Sequence, residues 1–157
     1  MDYLTVKWLH ILSSVVLVGT GFGSAFYFFF VNRQPDLRVR AEVARLVVRA
    51  DWWFTTPAAI FQPLSGLWLM HQAGWSWQTP WIAASIALFV FAGLCWLPVV
   101  WLQIRMAAML RQAADQRSEL PMVYRKYARC WETLGYPAFI AMLAVYYLMV
   151  VKPALQS

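Results

Sequence analysis

The residues of this chain best suited to chemistry are its two histidines, His10 and His71. Lys7 precedes His10 by about one helical turn, and Ser14 follows it by about one turn, so the three share one helical face. A neutral imidazole can ligate a metal or accept a proton. His10 also begins a long apolar stretch, where an ionisable side chain is a candidate functional residue.

The apolar stretch after His10 is long enough to cross a membrane. No charged residue lies between Trp8 and Val31, which exceeds the roughly 20 residues that a spanning helix needs. The composition agrees, with 62% hydrophobic and 13% charged residues, against about 25% charged in soluble domains. Because Asp2 stands where a signal peptide would be basic, we expect the segment to be kept rather than cleaved.

The pattern predicts an all-α fold, an integral membrane antiparallel four-helix bundle that forms a single domain over residues 1–157. The expected spans are about 3–32, 52–71, 80–103 and 134–151.

The basic residues concentrate in two polar segments, within about 33–49 and about 105–129. The formal charge of +6 is therefore explained by the positive-inside rule and not by nucleic-acid binding. We expect a multi-pass protein of the bacterial inner membrane. Both basic loops would face the cytoplasm, and the N- and C-termini would lie outside.

The basic segments are themselves predicted to be helical. Asp36 is a plausible N-cap for an amphipathic stretch over 37–49, which either lies on the membrane surface or extends the second span. The third span is predicted to continue through Arg117, and the stretch 122–132 is expected to lead into the fourth. The spans would thus extend into the cytoplasm.

Packing inside the bundle is predicted from small and polar residues. Gln62, Ser65, Gly66 and Leu69 share a stripe on the second span, and the buried amide of Gln62 should have a partner on another helix. Gly19 and Gly23 favour close helix packing within the chain over a dimer contact. The cluster 26–30 is expected to face lipid.

The two histidines have similar predicted depths. His10 lies 22 residues before Asn32, and His71 lies 20 residues after Asp51, or roughly 33 and 30 Å along a helix. Two imidazoles at one height could both ligate one haem iron. However, His71 lies almost half a turn from the Gln62 stripe, so a position among lipid headgroups stays open for it. No carboxylate falls within a predicted span, so a carboxylate proton relay is not expected.

Three segments carry a resemblance to known families: YLTVKWLHILSSVVLVGTGFGSAF, ADWWFTTPAAIFQPLSGLWLM and LPVVWLQIRMAAM. They resemble bacterial integral membrane proteins grouped as domain of unknown function 2269. More distantly, VKWLHI is similar to the first helix of HemJ-type protoporphyrinogen oxidases and of CopD-like copper proteins. The HemJ resemblance implies an oxidoreductase with b-type haem at His10, beside Lys7. The methionines lack a ligand-like spacing, so copper transport is not predicted.

Two functions follow as expectations. The first is a haem b-binding redox or electron-transfer protein with His10 as axial ligand, His71 as a second ligand, and a redox partner. The second is a cofactor-free scaffold or partner subunit in the lipid bilayer, including a homo-oligomer.

Overall fold

The chain is built from helices joined by three short turns. The computed structural model describes residues 2–153. Over these residues the regular secondary structure is entirely helical, which confirms the all-α fold. The elements are α1 (Tyr3–Val31), α2 (Leu37–Ala50), a π-helical segment (Asp51–Thr55), α3 (Thr56–Gln72), α4 (Pro80–Gln116) and α5 (Met122–Val151).

α2, the π-helical segment and α3 form one continuous rod. Backbone angles stay helical at Ala50, Asp51 and Thr55. The Thr56 N–H donates to the carbonyl of Asp51, five residues back, which defines the widened turn. Pro57 follows directly and cannot donate to a preceding carbonyl, so the wider turn carries the helix past this residue without a break. The amphipathic stretch is therefore an extension of the second span.

Four antiparallel rods result, and each contains one predicted span. α1, α4 and α5 are individually long and apolar enough to cross a membrane. α3 has 17 residues and reaches a comparable length only together with the π-helical segment and α2. α4 continues through Gln116, as predicted from the sequence, and Arg117 ends it in the left-handed conformation at φ 51°. The antiparallel bundle is confirmed.

The bundle has two chemically different ends. The basic end contains α2, the last turns of α4 and the first turns of α5, and the tryptophan end contains the turn 73–79. At the basic end Asp36 accepts hydrogen bonds from the backbone of Arg38 and Val39, so the predicted N-cap is confirmed. Glu42 pairs with Arg45 there, and this hydrogen bond lowers the pKa of the exposed Glu42 carboxyl.

The largest apolar core lies at the basic end. Phe28, Met106 and Leu110 are fully buried there, and Trp131 packs edge-on against Phe28 with ring centroids 5.2 Å apart. The prediction that residues 26–30 face lipid is therefore wrong for Phe28. Phe26, at 50% exposed, follows the prediction.

An apolar cleft of about 700 Å³ separates the pair α1–α3 from the pair α4–α5. It lies between the core at the basic end and a small contact of Met70 with Trp81 and Ile82 at the tryptophan end. Phe22 and Phe139 stack across it, with centroids 5.0 Å apart. The two pairs thus contact each other mainly near their ends.

The glycines of α1 do not pack against a neighbour. No heavy atom lies within 4 Å of a Cβ built on Gly19, Gly21 or Gly23. The prediction that Gly19 and Gly23 allow close packing within the chain is therefore wrong. Gly21 lines the cleft, whereas Gly19 and Gly23 lie on the opposite face of α1, which no other rod among residues 2–153 covers.

Candidate functional site

His10 lies in the interface between α1 and α3. Its Nδ1 is 2.7 Å from the hydroxyl of Ser65, and Gln62 Nε2 donates to the carbonyl oxygen of His10 at 2.8 Å. Gln62 and Ser65 are both buried. The predicted bundle face on the second span, and the predicted partner for Gln62 on another helix, are confirmed.

The hydrogen-bond pattern favours the neutral tautomer of His10 that has its hydrogen on Nδ1. The Ser65 hydroxyl has one hydrogen, which it donates to the carbonyl oxygen of Phe61 at 2.7 Å. Its oxygen therefore accepts from Nδ1–H of the imidazole. In the neutral ring the lone pair is then on Nε2, which has no hydrogen-bond partner among residues 2–153. A hydrogen-bonded Nδ1 with Nε2 available is the arrangement of a metal-ligating histidine.

Gly66 fixes the position of the imidazole ring from the opposite helix. A Cβ built on Gly66 would lie 3.3 Å from Cε1 of His10, closer than ordinary van der Waals contact. Glycine at this position therefore lets α3 approach the ring edge, and a larger residue would displace the ring. A hydrogen bond to Ser65 therefore holds Nδ1 of His10, and α3 packs closely at Gly66 against the adjacent ring atom, Cε1.

The other predicted site residues are not gathered around the imidazole. Lys7 and His71 are exposed, and the Ser14 hydroxyl donates to the carbonyl of Ile11 in its own helix at 2.7 Å. From Ser65, which contacts His10, His71 lies about 9 Å further along α3 and roughly 120° around it. The structure thus joins His10 to Ser65 and Gln62, and leaves His71 on a different face.

The depths that the sequence predicts for the two histidines are measured from Asn32 and Asp51, as if these residues were level. The second rod does not end at Asp51, so the two histidines do not lie at the same height. His10 is level with Ser65, and the Ser13 hydroxyl reaches the carbonyl of Ala58. Because the rods are antiparallel, each step toward the start of the second rod corresponds to one step forward in α1. Extrapolating from these two contacts places Asp51 level with about residues 20–24 of α1. Asp51 therefore lies beside the uncharged part of α1, about 12–18 Å before Asn32.

Asp51 is the candidate residue that sequence reasoning missed. Its side chain is 4% exposed, Thr55 Oγ1 donates to its Oδ1 at 2.9 Å, and the side-chain amide of Gln103 on α4 lies beside the carboxyl. Asp51 lies one residue before the predicted span 52–71, so the expectation that no carboxylate falls within a span did not cover it. One signal in the sequence could have indicated this position. The helical pattern continues through Asp51 without turn-forming residues, which indicates that the helix does not end there.

The described residues contain no group of three or more His, Cys, Asp or Glu side chains that could hold a metal ion. Any metal chemistry at His10 would therefore use the imidazole as a single protein ligand, as a haem iron can.

Four long helical rods with apolar surfaces around one bundle define an integral membrane protein, whose spans lie in a lipid bilayer. More specifically, the chain belongs to the DUF2269 family, described as predicted integral membrane protein, whose sequence profile matches residues 4–153. No curated protein and no solved structure matches the chain.

Proposed function

We propose that this membrane protein binds haem b through His10 and serves a redox or electron-transfer role. One observation carries the proposal, namely the hydrogen bond of His10 Nδ1 to Ser65, whose own hydrogen is donated to Phe61. This pattern leaves Nε2 with the lone pair that an axial ligand needs.

The side chains near His10 on α1 support the proposal. Trp8 and Ile11 are exposed and apolar, as the surroundings of a porphyrin must be. Lys7 lies about one turn away on the same face of α1 and could pair with a propionate. Haem would supply one-electron redox chemistry, while the chain orients and hydrogen-bonds the ligand. The proposal rests on His10 without His71.

The absorption spectrum of the purified protein tests the proposal. The full chain is expressed with a haem precursor, purified, and compared with His10→Ala and His71→Ala. We expect a Soret band in the wild type and in His71→Ala, and its loss in His10→Ala. His71→Ala is the matched control, because it removes the other imidazole from an exposed position. A colourless wild type after haem addition, or an unchanged band in His10→Ala, would contradict haem binding at His10.

A second candidate is a cofactor-free partner subunit or scaffold. It is favoured by the absence of any neighbour within 4 Å of a Cβ built on Gly19 or Gly23, since small residues let another helix approach in lipid. Cross-linking in native membranes tests it with Gly19→Leu and Gly23→Leu. Loss of a cross-linked species in these variants, together with a silent His10→Ala, is expected if assembly is the function.

We infer from the positive-inside rule that the basic end faces the cytoplasm of a bacterial inner membrane. Single cysteines introduced at Trp77 and Ser118, in a variant lacking Cys95 and Cys130, test this orientation. An impermeant thiol reagent applied to intact cells should label position 77 only, and labelling of position 118 alone would reverse the orientation.

A further inference from the structure

Asp51 is the only fully buried carboxyl among residues 2–153. Its exposed fraction is 4%, whereas Glu132 is half-buried and the remaining described carboxyls are exposed. It is the first residue of the π-helical segment, and such segments often occur at functional positions. An ionisable group in this location needs a compensating partner or must be neutral.

No cation in the described chain compensates the Asp51 carboxyl. The ion pairs of residues 2–153 involve Glu132, Glu42 and Asp115, and no basic nitrogen lies within 4 Å of Asp51. Burying an unpaired carboxylate is so unfavourable that such a group takes up a proton instead.

The charged and titratable groups on the neighbouring elements are directed elsewhere. α1 has no charged residue between Trp8 and Asn32, and its Tyr27 is exposed. On α2 the nearest arginine, Arg49, is exposed, as is Arg105 on α4, and α3 has no ionisable group before its exposed His71. The immediate partners of the carboxyl are therefore the uncharged side chains of Thr55 and Gln103.

The side-chain oxygen of Gln103 lacks a hydrogen-bond donor among residues 2–153, and a protonated Asp51 carboxyl could supply one. The side chain of Gln103 is 4% exposed, and its Oε1 has no donor in the described chain. Thr55 cannot donate to Gln103 Oε1, because its one hydroxyl hydrogen is donated to Asp51. A carboxylate only accepts hydrogen bonds, whereas a protonated carboxyl also donates one. A carboxylic acid and a primary amide can then form two bonds, from Nε2–H to one carboxyl oxygen and from the carboxyl O–H to Oε1.

We propose that Asp51 is a proton-binding site, protonated at neutral pH, whose hydroxyl donates to the side-chain oxygen of Gln103 across the interface of the second rod and α4. The bound proton removes the buried charge and satisfies the amide oxygen at once. Its release places an unpaired negative charge between the two rods and weakens their packing. The proposal is independent of haem binding at His10.

Infrared spectroscopy of the full chain in lipid nanodiscs tests the bound proton directly. At neutral pH the wild type should show the carbonyl stretch of a protonated carboxylic acid, and Asp51→Asn should lack it. Asp115→Asn is the matched control, since it removes an exposed carboxyl and should leave the band in place. A wild type without the band, or a band that survives in Asp51→Asn, overturns the proposal.

Thermal unfolding supplies a second readout that does not depend on the band. Asparagine resembles the neutral acid, so Asp51→Asn should fold, match the wild type below about pH 4, and unfold at a higher Tm than the wild type at neutral pH. Because the folded state favours the protonated acid more than the unfolded state does, the wild-type Tm should fall from about pH 4, where the unfolded carboxyl ionises, up to the pH at which the folded carboxyl loses its proton. The Tm of Asp51→Asn should lack this part of the fall.

An equal decrease of Tm in both proteins over this pH range contradicts a proton on Asp51. The same measurement in NaCl and in choline chloride separates a proton from a bound cation. Equal wild-type Tm values in the two salts support the proton, and a sodium-specific rise that Asp51→Asn abolishes overturns it.

Discussion

Gln62 Nε2 on α3 donates a hydrogen bond to the backbone carbonyl oxygen of His10 on α1, across 2.8 Å. Three residues further along α3, Ser65 accepts from the imidazole of the same histidine. The backbone and the side chain of His10 are therefore held by one short stretch of the second rod. The pairing of α1 with α3 and the orientation of the imidazole should therefore both change when this stretch is altered.

Replacing Gln62 by leucine should weaken the pairing of α1 with α3. The substitution removes the donor to the His10 carbonyl, and hydrogen bonds between membrane helices contribute about 0.6 kcal/mol on average and up to about 1.7 kcal/mol. Unfolding in mixed micelles should show a loss of stability in this range. Gln72→Leu changes an exposed glutamine at the end of α3 and serves as control, so an equal loss in both variants would contradict the role of Gln62.

Replacing Gly66 by alanine should displace the imidazole of His10. The new Cβ would meet Cε1 at 3.3 Å, so the ring must move by a few tenths of an ångström. We expect a shifted imidazole resonance in NMR spectra of protein labelled at histidine. A Cβ on Gly93 would have no heavy atom within 4 Å, so Gly93→Ala should leave the resonance unchanged. An unshifted spectrum for Gly66→Ala would show that the ring is not held there.

Replacing Ser65 by alanine should weaken haem binding while the axial ligand stays in place. Mutation of a residue that hydrogen-bonds to a ligating histidine typically lowers metal affinity by about 10- to 100-fold. Titration with haem should give a correspondingly higher Kd for Ser65→Ala. Ser85 is also a buried serine, but it bonds only to the carbonyl of Trp81 in its own helix. Ser85→Ala should therefore bind like the wild type, and equal affinities in all three proteins would exclude the role of Ser65.

Truncating Phe28 should destabilise the basic end far more than truncating Phe26. Phe28 is fully buried against Trp131, and a buried Phe→Ala change costs about 3–5 kcal/mol. Phe26 is half exposed, so Phe26→Ala should cost only a fraction of that. Denaturant unfolding followed by circular dichroism gives both values. Similar losses for the two variants would contradict the packing difference.

Several features of the fold were predictable because they depend on local pattern. The uncharged run from Trp8 to Val31 is too long for anything but a spanning helix. Asp36 caps α2 because a short acidic side chain accepts from the first backbone N–H groups. The interhelical partner of Gln62 was predictable as a need, since an amide in an apolar helix must be satisfied.

The exposure of individual aromatic and glycine residues depended on how the rods pair. Phe28 and Phe26 are chemically identical and two residues apart, yet only Phe28 faces Trp131. Gly19 and Gly23 have the spacing of a packing motif, but they lie on a face of α1 that no other rod of the described chain covers. Local spacing marks a surface that could pack, and only the arrangement of the other rods shows whether it does.

The sequence by itself determined the helices and their apolar surfaces and marked His10 as a candidate site residue, because length, charge and the need for hydrogen bonds act along the chain. The tertiary structure decided which of these residues contact one another. The register of α1 against α3 places His10 on Ser65 and away from His71, and the unbroken second rod buries Asp51 against Gln103. Register and rod continuity depend on contacts between residues that are distant in sequence, and so the buried carboxyl became visible only in three dimensions.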